Sequence, residues 1–223
     1  MTTRRLGFIM TVAALAVCWA AAAGESAQKC KSKNPKQDFP ATGQTTTAPT
    51  PFYHAGDDGD IQAGATLSYT DNGDGTITDN NTCLMWEKKS ADGSIHDKDN
   101  LYTWYNAFDV HVATLNATSF AGYNDWRVPN VKELQSIVNY ENFNPAVSTE
   151  FNNGDCTTPT SMCTVLTCSC TSAYLYWSSS TYADPLSAWL VGFLDGGVGA
   201  NDKHIFTGHV RAVRGGSNLG SSQ

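Results

Sequence analysis

The chain has 223 residues, of which 16% are charged and 11% aromatic, and a formal net charge of −7. So many aromatics with so few charges exclude a disordered chain, and the acidic balance argues against a nucleic-acid partner. Seven cysteines, an odd number, call for an explanation.

The N-terminus supplies it. Arg4 and Arg5 precede an apolar run, Leu6 to Ala23, that ends in four alanines. A basic start, a short apolar core and small residues at the end read as a secretory signal peptide over residues 1–23. A membrane anchor is the weaker reading, because the run is barely long enough to span. A lipoprotein site at Cys18 is disfavoured by the bulk of Val17. Cleavage after Ala23 leaves Cys30, Cys83, Cys156, Cys163, Cys168 and Cys170, an even set that in an exported chain reads as disulfides. Losing Arg4 and Arg5 also takes the net charge from −7 to −9. The expected location is the periplasm, the cell surface or the extracellular space.

Residues 24–60 read as a lead-in. Lys29, Lys31, Lys33 and Lys36 are followed by a Thr/Pro-rich stretch that cannot bury enough apolar surface to offset chain entropy. The globular part is expected over residues 61–216, with a flexible Gly/Ser tail over 217–223. Thr76–Thr78 and Leu84–Trp86 predict short strands, the first entered through the turn Asp71-Asn72-Gly73-Asp74-Gly75. Thr103 is a candidate N-cap, after which Trp104, Phe108, Val112 and Leu115 recur at helical spacing. A second helix follows Pro129, with Asn130 and Glu133 in a capping-box arrangement and Val131, Leu134, Ile137 and Val138 as its buried stripe. Residues 142–171 hold four cysteines and little periodicity, so disulfides are expected to shape them. Tyr174–Trp177, Ala188–Leu194 and Val210–Arg214 predict strands. In the middle one, Trp189, Val191 and Phe193 alternate with Leu190, Gly192 and Leu194, which are expected to face out. Two helices and mostly antiparallel strands make an α+β domain.

The chemistry-bearing patterns are thin. Asp57-Asp58-Gly59-Asp60 and the 71–75 turn hold clustered oxygens, but neither has the ligand spacing or the distal Glu of a calcium loop, so turns are the better reading. Cys156, Cys163, Cys168 and Cys170 lack the paired two-residue gaps of structural zinc sites. Disulfides are expected instead, with Cys156–Cys163 the favoured local pair. The histidines (54, 96, 111, 204 and 209) are scattered, and His111 reads as a half-buried structural residue on the first helix. No nucleophile elbow, phosphate loop or dinucleotide fingerprint is present, so neither catalysis nor a metal or other cofactor is expected.

Six segments in fixed order carry a resemblance: Asp71–Asp79 (DNGDGTITD), Thr82–Lys88 (TCLMWEK), Asp125–Asn130 (DWRVPN), Lys132–Ile137 (KELQSI), Tyr176–Thr181 (YWSSST) and Val210–Gly215 (VRAVRG). Together, over roughly residues 66–216, the chain resembles the Lcl C-terminal domain family of exported bacterial proteins. The resemblance implies a C-type lectin-like fold used as a binding scaffold. Cys83 stands where the family commonly has Gly, which suggests a disulfide from the first strand to the cysteine-rich loop. Residues 126–130 are also similar to the formylglycine-generating enzymes, but no cysteine follows Cys170 to carry their chemistry. The sugar-binding triplets of calcium-dependent lectins are missing. The collagen-like member that names the family is associated with sulfated polysaccharides, a ligand that calls for a basic surface, which a charge of −9 does not favour.

Some relatives of this family resemble the variable proteins of diversity-generating retroelements, in which template adenines are randomised. Residues 188–214 read as a frame (Ala188, Trp189, Val191, Phe193, Gly196, Val198, Lys203 and Val210–Arg214) around fifteen slots. The slots are Leu190, Gly192, Leu194, Asp195, Gly197, Gly199, Ala200, Asn201, Asp202, His204, Ile205, Phe206, Thr207, Gly208 and His209. Randomising both adenines of an AAC codon never yields Trp, Met, Gln, Glu or Lys, and no slot holds one. The expected function is therefore non-enzymatic binding of a protein or glycan through these slots other than Asp195. The alternative is a structural or adhesive subunit of an envelope assembly, or a homo-oligomer.

Overall fold

The computed structural model describes residues 39–46, 54–154, 156 and 163–215. The predicted signal peptide, Cys30 and the C-terminal tail lie outside them. Mixed helices and two antiparallel sheets give the expected α+β architecture.

The first sheet joins β1 (Tyr69–Asp71), β2 (Thr76–Asp79), β3 (Leu84–Glu87) and β7 (Val213–Gly215) in the order β1-β2-β3-β7. The 71–75 segment makes the β1–β2 turn. The Asp71 carboxylate accepts from the Gly73 N–H at 2.9 Å, and Asp74 accepts from the Thr76 N–H at 3.1 Å. Gly75 has φ +94°, and a Cβ there would meet Val165 and Phe120 near 3 Å. Asp58–Ile61, in the first acidic run, is a single helical turn, α1, capped by Asp57. Residues 39–46, within the expected lead-in, lie against the body: the Ala41 N–H donates to the Ala65 carbonyl, the Ala65 N–H to the Phe39 carbonyl, and the Tyr140 N–H to the Thr42 carbonyl at 2.9 Å.

The first predicted helix, here α2, starts at its predicted cap, Thr103. An α-helical turn, Trp104–Asn106, runs into a π-helical stretch, Ala107–Val112, and ends as Ala113–Ala117. The wider π turn brings both His111 and Val112 to the buried side. His111 is therefore fully buried rather than half-buried. Helix α3 (Val131–Gln135) has both halves of the capping box, Asn130 accepting from the Glu133 N–H and the Glu133 carboxylate accepting from the Asn130 N–H. Leu134, Ile137 and Val138 are buried as expected.

The second sheet is β4 (Leu175–Thr181), β5 (Ser187–Gly192) and β6 (Val198–Asp202), with β5 central. Alternation holds along β5, but the second face does not meet water. Val191 and, just past the strand, Phe193 join Trp86, Leu134, Ile137, Phe151 and Tyr176 in one core cluster. Ala188 and Leu190 join Leu115, Trp126, Trp177, Val210 and Ala212 in another. Leu190 is 1% exposed, so its expected place on the recognition face is corrected. The returning segment 210–212 and helix α2 cover that side, a layer that a period-2 pattern in one strand cannot reveal.

The cysteine-rich loop also departs from expectation. Cys156 pairs with Cys170 and Cys163 with Cys168, not Cys156 with Cys163. The backbone bonds between Asn153 and Ser169 bring the Cys156 and Cys170 ends together. Cys83 is disulfide-bonded too. Its partner is not in that loop, whose four cysteines pair among themselves.

Candidate binding clefts

The C-terminal segment returns to the body beside β4. Tyr102 and Gly208 exchange two backbone bonds of 2.9 Å, the His209 N–H donates to the Leu175 carbonyl, and the Trp177 N–H donates to the His209 carbonyl. This stitching aligns residues 206–209 with the start of β4 and leaves a cleft of about 500 Å³ between them. Leu101, Tyr174, Leu175 and Phe206 wall it, Asp99 and Thr207 stand with them, and Ser172, Gly208 and His209 complete the lining.

A second cleft, of about 340 Å³, lies on the other side of Tyr174 and Leu175, which line both. Its remaining lining comes from Ala173, Gly192, Leu194, Asp195, Gly197, Val198 and Gly199. The β5–β6 turn shapes it: the Gly192 N–H donates to the Gly197 carbonyl at 2.7 Å, and Asp195 accepts from the Gly197 N–H at 2.9 Å. Gly196 has φ +84°, and a Cβ there would stand 2.6 Å from the Tyr140 ring and 2.7 Å from Val138. Tyr174 is 75% exposed on the ridge between the clefts.

Gly192, Leu194, Gly197 and Gly199 thus meet in one cleft, and Phe206, Thr207, Gly208 and His209 in the other. Gly192, Gly208 and His209 are buried, so they contribute as floor rather than as protruding contacts. Ala200, Asn201, Asp202, His204 and Ile205 line neither cleft. The first three run along edge strand β6. Asp202 then accepts from the N–H groups of His204 and Ile205, which hold its carboxyl below the usual range. His204 meets the Tyr105 hydroxyl at 3.2 Å, and Ile205 is 82% exposed. Frame residue Lys203 is buried, bonded to Thr181 and the Pro185 carbonyl and set over the Trp104 ring.

Tyr174, Leu175, Leu101, Asp99 and Ser172 were not foreseen as site residues. Tyr174 and Leu175 read as strand core, and only the tertiary position of β4 distinguishes an aromatic ridge from a core aromatic.

Behind the clefts lies a buried charge cluster. The Glu87 carboxylate accepts from His111 Nε2 and His96 Nδ1 (both 2.8 Å), Lys89 Nζ (3.1 Å) and the Ala212 N–H (2.9 Å). Burial alone would push this carboxyl up, but His111, Lys89 and the donated hydrogen bonds outweigh it and keep Glu87 ionised. Burial lowers the His111 pKa. Its Nδ1 has no partner among the described residues, as suits a neutral ring. Arg211, equally buried, donates to the carbonyls of Glu87 and Cys170 and to Thr171 Oγ1. None of these charged groups lines either cleft.

The sequence profile of the Lcl C-terminal domain matches residues 75–214. The chain belongs to the Lcl C-terminal domain family. The match runs from the β1–β2 turn to β7, so both clefts and the Glu87 cluster fall inside the Lcl C-terminal domain. No curated protein matches the chain.

Proposed function

We propose that this protein is an exported ligand-binding module of C-type lectin-like architecture, which recognises a protein or glycan partner through the paired clefts beside Tyr174. The observation that carries this reading is the convergence of two separate parts of the 190–209 segment on the two sides of one exposed aromatic ridge. Clustered exposed aromatic and aliphatic groups over a rigid base are the usual material of recognition surfaces. Export is supported by the signal-like N-terminus together with disulfides in the cysteine-rich loop. No helix among the described residues is long and apolar enough to cross a membrane.

Retroelement diversification belongs to the same reading. Nine of the twelve frame residues (Ala188, Val191, Phe193, Gly196, Lys203 and Val210–Val213) are buried, and seven slots (Leu194, Asp195, Gly197, Ala200, His204, Ile205 and Thr207) are exposed. Frame residue Val198 is exposed, Trp189 and Arg214 are half-buried, and slots Leu190, Gly192, Gly208 and His209 are buried. Such a split favours a fixed scaffold with variable tips. It also restricts variation: Leu190 and His209 are held by the core and tolerate little. Sequencing the flanking DNA tests this, since a near-copy of the segment differing only at adenines must lie beside a reverse transcriptase gene.

The binding experiment is a screen of glycans and surface proteins with the parent and with Tyr174→Ala, Leu194→Ala and Phe206→Ala. A ligand bound by the parent and lost or weakened at least tenfold in these variants supports the clefts. Equal binding by all four proteins moves the site elsewhere. A second reading, an adhesive subunit or homo-oligomer, is favoured by β6 standing at the sheet edge with small residues Gly199 and Ala200. Light scattering of the mature protein tests it, and a monomer across the working concentration range removes it.

A further inference from the structure

The sequence contains no catalytic motif, yet the fold brings two groups of the larger cleft, Ser172 and His209, together with a third beside it, a combination that acts as a unit elsewhere in chemistry. His209 Nδ1 lies 3.2 Å from the Asn100 carbonyl oxygen. A carbonyl only accepts, so Nδ1 bears the proton and Nε2 is left with a lone pair. Nε2 lies 3.0 Å from the Ser172 hydroxyl, which must therefore be the donor. A serine, a histidine base and a group that sets the tautomer are the parts of an activated nucleophile. The ring is held in place by Tyr176, with centroids 5.2 Å apart, and by Tyr174 at 6.2 Å.

We propose that Ser172 and His209 form a nucleophile–base pair that gives this cleft an acyl-transfer activity toward uncharged carboxylic esters with an apolar acyl group. The assignment rests on reading this cleft as the ligand site. Both residues line it, and its walls suit the substrate class: Leu101, Leu175 and Phe206 face an acyl chain, and no Lys or Arg lines the cleft to hold an anionic one. The amide N–H groups of Ala173 and Tyr174, which follow the serine directly, are not engaged by any other group among the described residues. They are the nearest candidates in the chain for stabilising an oxyanion.

In the first step Ser172 Oγ bonds to the ester carbonyl carbon while its proton passes to His209 Nε2. The carbon–oxygen bond to the leaving alcohol then breaks, and the alcohol takes the proton from Nε2, leaving an acyl-serine. Water attacks the acyl carbon and gives a proton to Nε2. The serine ester bond breaks, Ser172 recovers the proton, and a carboxylic acid departs. Burial lowers the His209 pKa, so the ring is in its basic form at neutral pH. The rate should fall with acidification only below the ordinary histidine range.

The test is treatment of the mature protein with a fluorophosphonate, followed by mass spectrometry of the digested chain, together with hydrolysis of p-nitrophenyl butyrate. The expected result is one adduct per chain, on Ser172, and a hydrolysis rate about a hundredfold lower in Ser172→Ala, a typical contribution for such a group. No adduct on the wild type, an adduct on another residue, or unchanged hydrolysis by Ser172→Ala overturns the proposal. The labelling site is read on the wild type, so the outcome does not depend on a variant folding. Cleft-dependent binding without labelling overturns only the nucleophile, whereas Ser172 labelling with no cleft-dependent partner overturns only the recognition reading.

Discussion

Glu87→Gln is the substitution that should cost most for the least change in shape. The wild-type carboxylate is fully buried and accepts four hydrogen bonds, from Lys89, His96, His111 and the Ala212 amide. Glutamine keeps the volume but replaces one acceptor oxygen with an NH₂ that faces donors. It also removes the negative charge that compensates the Lys89 ammonium, itself 2% exposed. Removing one partner of a buried ion pair typically costs about 3–5 kcal/mol, because the other charge stays in a poor solvent. For a domain of this size each kcal/mol moves the thermal midpoint by about 2–4 °C, so the loss amounts to roughly 6–20 °C. Urea unfolding followed by tryptophan fluorescence reads it directly, since Trp86 is buried on the same strand.

The pH dependence provides an internal check. The Glu87 carboxyl is lowered by folding, so its stabilisation is complete above the unfolded glutamate pKa of about 4.3 and is lost as pH falls through the lower folded value. His111 and His209 are also lowered by folding, through burial. For them the unfolded chain takes up protons first, so stability declines from about pH 6.5 downward. Glu87→Gln should shrink the step below about pH 4, leaving the smaller part owed to the more exposed lowered carboxyls of Asp92, Asp125, Glu141 and Asp202, and keep the one that begins near pH 6.5. A loss under about 1 kcal/mol at neutral pH, with the acid step intact, would refute the idea that this carboxylate is ionised and holds the core.

Three further outcomes follow from the fold. Leu190→Ala should cost about 2–5 kcal/mol and Leu194→Ala, at 41% exposure, less than about 1 kcal/mol; equal costs in urea titrations would contradict the burial of β5 on both faces. Gly196→Ala should destabilise by about 1–3 kcal/mol in the same assay, because φ is +84° and its Cβ would collide with Tyr140 and Val138; an unchanged midpoint would mean the β5–β6 turn is built differently. Replacing Cys156 and Cys170 together by Ala should cost about 3 kcal/mol, the loop-closure value for a separation of 14. Peptide mapping of the unreduced wild type should recover Cys156 joined to Cys170, and recovery of Cys156 joined to Cys163 would overturn the pairing.

Local chemistry made much of the fold legible. Thr103 and Asn130 cap their helices because short polar side chains satisfy first-turn N–H groups, a rule that depends on neighbours in sequence alone. The 71–75 turn was readable for the same reason. The illegible parts depend on what arrives from elsewhere in the chain. Period-2 alternation separates the two faces of β5, but whether the Leu190 face is dry depends on residues 210–212 and helix α2. Glu87-Lys88-Lys89 reads as a polar strand end, yet all three are buried because His111, Asp71 and the returning C-terminal segment supply partners 17 to 125 residues away. The candidate clefts were half legible. Parts of the 190–209 segment line both clefts, as the sequence suggested, while Tyr174, Ser172 and Leu101 came from elements whose surface could not be located from periodicity.

The same burial bears on the ligand. Lys88, Lys89, Lys203 and Arg211 are all buried, where they hold carboxylates, carbonyls and an aromatic ring. Lys98 is paired with Asp99, Arg127 with Glu133 and Arg214 with Asp125. Among the described residues Lys132 is thus the one cation that is exposed and outside an ion pair. Net charge alone therefore understates how acidic the outward face is: of the eight Lys and Arg among the described residues, four are buried and three are in ion pairs nearer the surface. A polyanion such as a sulfated polysaccharide needs several free cations on one surface to replace its counterions, and this domain offers none at the clefts, where Asp99 and Asp195 stand instead. Under the proposed binding function, the partner expected is uncharged or cationic and carries an apolar group to set against Tyr174, Leu194 and Phe206.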